Sequence, residues 1–115
     1  MIITLSGSIA FADQMQEIAQ TLEKNGHQVF YPKPTGEPNF QDDPERATAI
    51  RTQAIRRHLE LIETSDAILL VNLTKNNIEN HLGVSALAEV MYAFGRGKAI
   101  FALNELPTNL DYAVD

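Results

Sequence analysis

The sequence predicts an α/β domain built on a parallel sheet of about four strands in the order 2-1-3-4, with helices on both faces. Segments with strand and helix periodicity alternate along the chain, which favours right-handed βαβ crossovers and a parallel sheet. The length of 115 residues is close to the modal size of one domain, so we expect a single domain over residues 1–115. The hydrophobic content of 44% and the charged content of 21% are typical of a protein with a packed core.

The first part of the chain predicts a strand, a helix and a second strand. Ile2, Ile3 and Leu5 form a short run rich in β-branched residues that ends in the turn Ser6-Gly7-Ser8, as expected for a buried strand that enters a tight turn. Helical spacing of apolar residues follows over 11–22, and Asn25-Gly26 supplies a common helix stop. Residues 27–31 predict the second strand, which two prolines end because proline cannot donate to a ladder.

Two more helices and two more strands follow. Asp42-Asp43-Pro44 predicts a helix start. The apolar stripe of this helix is Ile55, Leu59 and Ile62. A continuously apolar run over 67–71 predicts a central strand covered on both faces. Residues 83–94 predict a helix that is apolar on nearly every side, and 99–103 predict a fourth strand. Polar loops are predicted over 32–43 and 74–80.

This alternation is that of a three-layer, Rossmann-like or flavodoxin-like domain. In such sheets ligands bind outside the carboxyl ends of the strands, where the strand order reverses. For the order 2-1-3-4 that point lies between the first and the third strand. We therefore expect a small-molecule site where Gly7, His58, Asn72 and Glu89 converge.

Composition and charge exclude several classes of partner. Nine Lys and Arg against fifteen Asp and Glu give a net charge of -6, so the long-range field repels nucleic-acid polymers and anionic membranes. The absence of cysteine excludes disulfides and Cys-ligated metals, and three scattered histidines lack the spacing of metal ligands. The longest apolar runs are too short to span a bilayer, and the first residues lack signal-peptide features. We therefore expect a cytoplasmic protein without a metal.

The turn after the first strand offers groups that suit an anion or a sugar hydroxyl. Ser6-Gly7-Ser8-Ile9 places backbone N–H groups and two hydroxyls at a helix N-terminus. The same residues also suit any strand-to-helix turn, and the chain has neither a Walker A motif nor a G-x-G-x-x-G fingerprint. Both interpretations of this turn stay open.

Glu89 interrupts the apolar run of the third helix and needs a reason to be there. If Leu87, Met91 and Phe94 face the sheet together, Glu89 lies on the face of Ser85, one turn earlier. A carboxylate on that face at the cleft would suit a nucleophile or a general base.

Glu89, His58 and Asp66 also have plain structural explanations. Glu89 at the rim of the helix would point to solvent or pair with Arg96. His58 lies near the apolar stripe of the second helix, where a structural role fits its chemistry. Asp66, at the start of the third strand, is expected to tie the helix–strand turn and to have no role in the cleft.

Three segments carry a resemblance to a known family. They are Gly7-Ser8-Ile9, the run Ser65-Asp66-Ala67-Ile68-Leu69-Leu70-Val71-Asn72, and Gly83 through Glu89 to Gly97-Lys98-Ala99-Ile100. Together they resemble the nucleoside 2-deoxyribosyltransferase family over nearly the whole chain, and most of all a small branch with a Gly-Ser-Ile-Ala-Phe start and an Ile-Arg-x-His helix. Relatives include transferases that swap nucleobases and hydrolases that cleave deoxynucleoside 5′-monophosphates.

The resemblance implies that Glu89 is a nucleophile that attacks the anomeric carbon of a nucleoside or nucleotide. The product is a covalent glycosyl-enzyme, as in retaining glycoside chemistry. The loop Gly7-Ser8-Ile9 would line the sugar or its 5′ substituent, and Ser85 would hold a sugar hydroxyl or orient the carboxylate. The resemblance also implies a homodimer or a higher homo-oligomer and no organic cofactor.

Three departures from the family pattern shape the functional hypotheses. His58 stands where better-known members have an acidic residue, and we expect it to contact or protonate the leaving base. Gly83 stands where the family has an Asp or Ser that contacts the 5′ group. The chain ends at Asp115, without the terminal strand of the transferases, which favours hydrolysis over transfer. The alternative hypotheses are a non-catalytic nucleotide-binding or sensing module and a structural interaction domain, although the latter leaves Glu89 unexplained.

Overall fold

The computed structural model describes residues 1–32, 43–74 and 83–105. The predicted loop at 32–43, the predicted loop at 74–80 and His81 fall largely or wholly outside these ranges. The described elements are β1 (Ile2–Ser6), a 3-10 turn (Ile9–Phe11), α1 (Ala12–Lys24), β2 (Gln28–Phe30), α2 (Pro44–Thr64), β3 (Ala67–Leu70), α3 (Val84–Gly95) and β4 (Ala99–Ala102).

The described strands form one parallel sheet in the order β2-β1-β3-β4, which confirms the predicted fold class and strand order. In the register between β1 and β3, Ser6 pairs with Leu70. The carboxyl ends of these two strands therefore meet at one edge of the sheet. The strand order reverses there, so this edge is the place for a ligand site.

Helices cover both faces of the sheet because β3 is apolar on both sides. On one face, Ala67 packs with Leu5 of β1 and Met15 of α1. On the other, Ile68 packs with Ile62 of α2 and with α3. Neighbouring residues of a strand point to opposite faces, so a run that is continuously apolar builds both halves of the core. The prediction of a central strand here is confirmed.

Helix α2 begins at the predicted start. The Asp43 carboxylate accepts a hydrogen bond from the backbone N–H of Arg46 at 3.0 Å, and Pro44 takes the first helical position, where its missing N–H costs nothing. Only part of the predicted stripe enters the core, because Ile62 is buried while Ile55 is 59% exposed. A helix of 21 residues extends for roughly 31 Å. It therefore extends beyond the strands, which have three to five residues and are about 10–16 Å long.

Helix α3 faces the sheet with a different side from the one predicted. Met91 and Phe94 are 60% and 70% exposed, so the expectation that they face the sheet was wrong. Ala86 and Ala93 are buried instead, since their small side chains let the helix backbone approach the sheet. Glu89 lies three residues after the first alanine and four before the second, so it shares their side of the helix.

The predicted homo-oligomer stays a prediction.

Within the described ranges, no helix is both long and apolar enough to cross a membrane.

Candidate functional site

A cleft of about 560 Å³ opens at the carboxyl ends of β1 and β2. Gly7 lines it after β1, His58 lines it from α2, and Ser85 and Glu89 line it from α3. The remaining lining residues come from the end of β2 and from α2: Val29, Phe30, Tyr31, Pro32, Ala54, Ile55, Arg57 and Leu61. The structure thus brings four of the predicted site residues to one cleft.

The carboxylate of Glu89 is the polar centre of this cleft. Its Oε2 accepts a hydrogen bond from the Ser6 hydroxyl and lies 3.1 Å from Nε2 of His58. The Glu89 side chain is 22% exposed and the His58 side chain 12% exposed, so the pair is half-buried yet open to the cleft. Glu89 therefore does not take the alternative arrangements at the rim of the helix, either in solvent or with Arg96.

Ser6, His58 and Glu89 meet because each side chain points into the layer between the sheet and helices α2 and α3. Along β1 the apolar Ile3 and Leu5 pack toward α1, so alternation turns Thr4 and Ser6 toward α2 and α3. His58 is one turn before the buried Ile62 of α2, which places it on the packed side of that helix.

Gly7 is required by packing. A Cβ at this position would lie 2.7 Å from the carbonyl oxygen of Val71 and 3.0 Å from Cε of Met15. The turn after β1 passes this close to the end of β3 because the N–H of Val71 donates to the carbonyl of Ser6 at 2.7 Å. Because Gly7 has no side chain, only its backbone lines this wall of the cleft.

Ser8 and Ile9 build the turn into α1. The carbonyl of Ser8 accepts from the N–H of Phe11 at 2.9 Å, and its hydroxyl accepts from the N–H of Ala10 at 3.3 Å. Ile9 begins the 3-10 turn that follows. Ser8 is not among the residues that line the cleft, and the predicted substrate contacts of this loop stay predictions.

Asn72 ties the ends of two strands together. Its Nδ2 donates to the carbonyls of Asn104 and Glu105 at 2.8 and 3.1 Å, and its Oδ1 accepts from the N–H of Asn104 at 2.9 Å. The side chain is fully buried and does not line the cleft. The structure therefore does not bring Asn72 together with Gly7, His58 and Glu89.

Gly83 forms the N-cap of α3, where its carbonyl accepts from the N–H of Leu87 at 3.0 Å. It does not line the cleft. The substrate contacts predicted for Gly83 and Asn72 stay predictions. Asp66 acts at the opposite end of the sheet, where its carboxylate accepts from the N–H of Ile2 at 2.7 Å.

Arg96 pairs with a different carboxylate, that of Glu63 at the end of α2. Nε of Arg96 donates to Glu63 at 2.8 Å, and its Nη2 also contacts this carboxylate. Tyr92 donates to Glu63 at 3.0 Å, and Lys98 donates to its backbone carbonyl at 2.8 Å. The hydrogen bond from Arg96 holds the pKa of Glu63 below its ordinary value. The same carboxylate raises the pKa of Tyr92. These contacts tie α2 to α3.

The site suits covalent or acid–base chemistry carried by protein side chains. Glu89 supplies a carboxylate open to the cleft, and His58 supplies an imidazole beside it. Among the described residues, no group of three or more His, Cys, Asp or Glu is arranged to hold a metal ion.

The hydrogen bond between Ser6 and Glu89 is the feature of the site that the sequence analysis missed. We treated Ser6 as part of the turn, although it is the last residue of β1 and is fully buried. The available signal was the alternation of Thr4 and Ser6 with apolar residues in β1, which marks one face of a buried strand as polar. A buried hydroxyl needs a partner, and Glu89 is the partner that the opposite helix offers.

Comparison with known proteins supports the fold. No protein-family model matches the sequence, and no curated protein matches it. Among solved structures, the chain is similar to the 2-desoxiribosyltransferase from Leishmania mexicana, with a TM-score of 0.61 and 16% sequence identity. The match covers 88% of this chain and 62% of that enzyme, so the chain spans less than two thirds of the enzyme's length. This likeness establishes a shared Rossmann-like fold.

Proposed function

We propose that the protein cleaves or transfers the N-glycosidic bond of a nucleoside or nucleoside 5′-monophosphate, through a covalent glycosyl-enzyme on Glu89. The observation that carries this proposal is the placement of the Glu89 carboxylate. Glu89 lines the cleft, and Ser6 and His58 both contact one oxygen of its carboxylate. A half-buried carboxylate in an otherwise apolar helix costs stability, so a chemical role explains why it is there.

The proposed reaction has two steps. In the first, an oxygen of Glu89 bonds to the anomeric carbon as the carbon–nitrogen bond breaks. The electron pair stays on the base, which takes a proton from His58. In the second, water attacks the same carbon, the carboxylate leaves with its electron pair, and His58 regains a proton from the water. A second nucleobase in place of water makes the reaction a transfer.

The walls of the cleft support a substrate with a flat, aromatic base. Phe30, Tyr31 and Pro32 line it at the end of β2, and Ile55 lines it from α2. Aromatic side chains stack well on planar rings. A solved structure with the same fold is that of a 2-desoxiribosyltransferase, which supports a substrate with a deoxyribosyl group.

The test is to incubate the protein with pooled nucleosides and nucleoside 5′-monophosphates, with and without a free acceptor base, and to follow the bases by chromatography. We expect base release from the parent and none above background from Glu89→Ala. Glu60→Gln is the matched control, since it removes the charge of an exposed glutamate of α2 that does not line the cleft. Exchange only with an acceptor would identify a transferase, and release without one would identify a hydrolase.

One observation favours a second candidate, a non-catalytic nucleotide-binding module. His58 already engages the carboxylate of Glu89, so this carboxylate is paired before a substrate arrives. Binding of a nucleotide without any base release by the parent would support this candidate and contradict the proposed catalysis.

A further inference from the structure

The two oxygens of the Glu89 carboxylate have different surroundings. The Ser6 hydroxyl and Nε2 of His58 both contact Oε2. Within the part of the chain that the structure describes, no hydrogen bond or ion pair engages Oε1. The oxygen that bonds to the anomeric carbon must be free to approach it, so the asymmetry distinguishes an attacking oxygen from a held one.

We propose that Ser6 is a positioning residue that holds Oε2, so that Oε1 attacks the anomeric carbon and the carboxylate leaves readily in the second step. This inference rests on the proposed function and deepens it, because it assigns each oxygen a role and names the step that Ser6 serves. Ser6 touches no reacting atom and acts through Glu89.

The effect of Ser6 on each step follows from where the negative charge lies. In the free enzyme the carboxylate carries the charge, and a donor on Oε2 stabilises it. In the glycosyl-enzyme Oε1 is esterified and Oε2 is a neutral carbonyl oxygen, so the same hydrogen bond is weaker. As the bond from the anomeric carbon to Oε1 breaks, the charge returns to the carboxylate. The Ser6 hydrogen bond strengthens with it and lowers the barrier of the second step.

The Ser6 hydroxyl is fixed before the reaction. Its side chain is fully buried at the end of β1, and its backbone carbonyl accepts from the N–H of Val71 at 2.7 Å. A donor held by the sheet needs no reorganisation when the charge develops, which is the condition under which a hydrogen bond contributes most to catalysis.

Thr4 provides a matched control for the loss of a buried hydroxyl. It lies two residues earlier on the same face of β1, it is fully buried, and its hydroxyl pairs with that of Ser65 at 2.6 Å. Thr4→Val removes this hydroxyl at nearly constant volume, outside the cleft. A general weakening of β1 would therefore appear in this variant as well.

The experiment compares the parent with Ser6→Ala, Ser6→Cys and Thr4→Val. Rapid-quench kinetics with a substrate found by base release gives the rate of the first step. Intact-protein mass spectrometry gives the fraction of covalent glycosyl-enzyme and its rate of hydrolysis. Ser6→Cys keeps the shape of the side chain, with a slightly larger atom that is a weaker donor, so it tests the hydrogen bond even if Ser6→Ala fails to fold.

We expect Ser6→Ala to slow hydrolysis of the glycosyl-enzyme by about 10- to 100-fold, the range for a hydrogen bond to a charged group. The first step should change much less, so the covalent fraction should rise. Ser6→Cys should lie between the parent and Ser6→Ala, and Thr4→Val should lower the melting temperature without changing either rate. Equal slowing of both steps, or no slowing in the Ser6 variants, would overturn the role of Ser6 alone. A parent without base release would overturn the proposed function as well.

Discussion

Replacing Gly7 by alanine tests whether the turn beneath the cleft is set by close packing. The added Cβ would lie 2.7 Å from the carbonyl oxygen of Val71, which belongs to the backbone, and 3.0 Å from the flexible end of Met15. The methionine can move, but the Val71 carbonyl is fixed by the neighbouring strands. Overpacking of this kind costs about 1–3 kcal/mol of the free energy of unfolding.

Urea unfolding measures this cost directly. With a typical slope of about 1.5 kcal/mol per molar urea, a loss of about 1.5 kcal/mol moves the midpoint of Gly7→Ala down by about 1 M. Gly95→Ala is the matched control, since nothing lies within 4 Å of its Cβ and the residue ends α3. Alanine there should raise stability by up to about 1 kcal/mol. Equal midpoints for the parent and Gly7→Ala would refute the packing argument.

Two further predictions concern the contacts that hold the site in place. Because the pKa of Glu63 is lowered from its ordinary value of 4.5, its pairing with Arg96 stabilises the fold above that pH, and this contribution is lost as the pH falls through the folded-state pKa. Glu63→Gln should therefore lower the urea midpoint at pH 7 and differ less from the parent at pH 3, and a difference independent of pH would contradict this. Asn72→Ala leaves the N–H of Asn104 without its acceptor and should cost about 1–3 kcal/mol in the same assay. An unchanged midpoint with a raised KM for base release would instead favour the predicted substrate contact.

The features predicted correctly from the sequence are those set by local signals. The start of α2 is specified by Asp43 and Pro44, which cap and open a helix wherever they occur together. The strand order follows from the alternation of elements and from the handedness of their crossovers. The cleft lies at the edge of the sheet where the parallel strands end. It opens at the ends of β1 and β2, however, whereas the sequence analysis expected it between the first and the third strand.

The features that were missed or predicted wrongly depend on how separate elements pack against each other. A helix that is apolar on nearly every side gives no periodicity from which to choose its buried face. Packing determines which face of α3 is buried. Ala86 and Ala93 let the helix approach the sheet more closely than Met91 and Phe94 would. Asn72 lies at the predicted end of its strand, but its partners come from the chain after β4. No local pattern indicates a contact between residues that far apart in sequence.

The position of Glu89 relative to His58 is set by contacts at the far end of the same two helices. Glu63 at the end of α2 accepts hydrogen bonds from Tyr92 and Arg96 at the end of α3. Ala93 of α3 packs with Ile62 of α2 in the core. Because helices are stiff over one or two turns, fixing Glu63 against Tyr92 also fixes His58 and Glu89, which lie five and three residues earlier on their helices. The 3.1 Å between Nε2 of His58 and Oε2 of Glu89 therefore depends on a tie outside the cleft. Loosening that tie would separate the two groups without changing either of them.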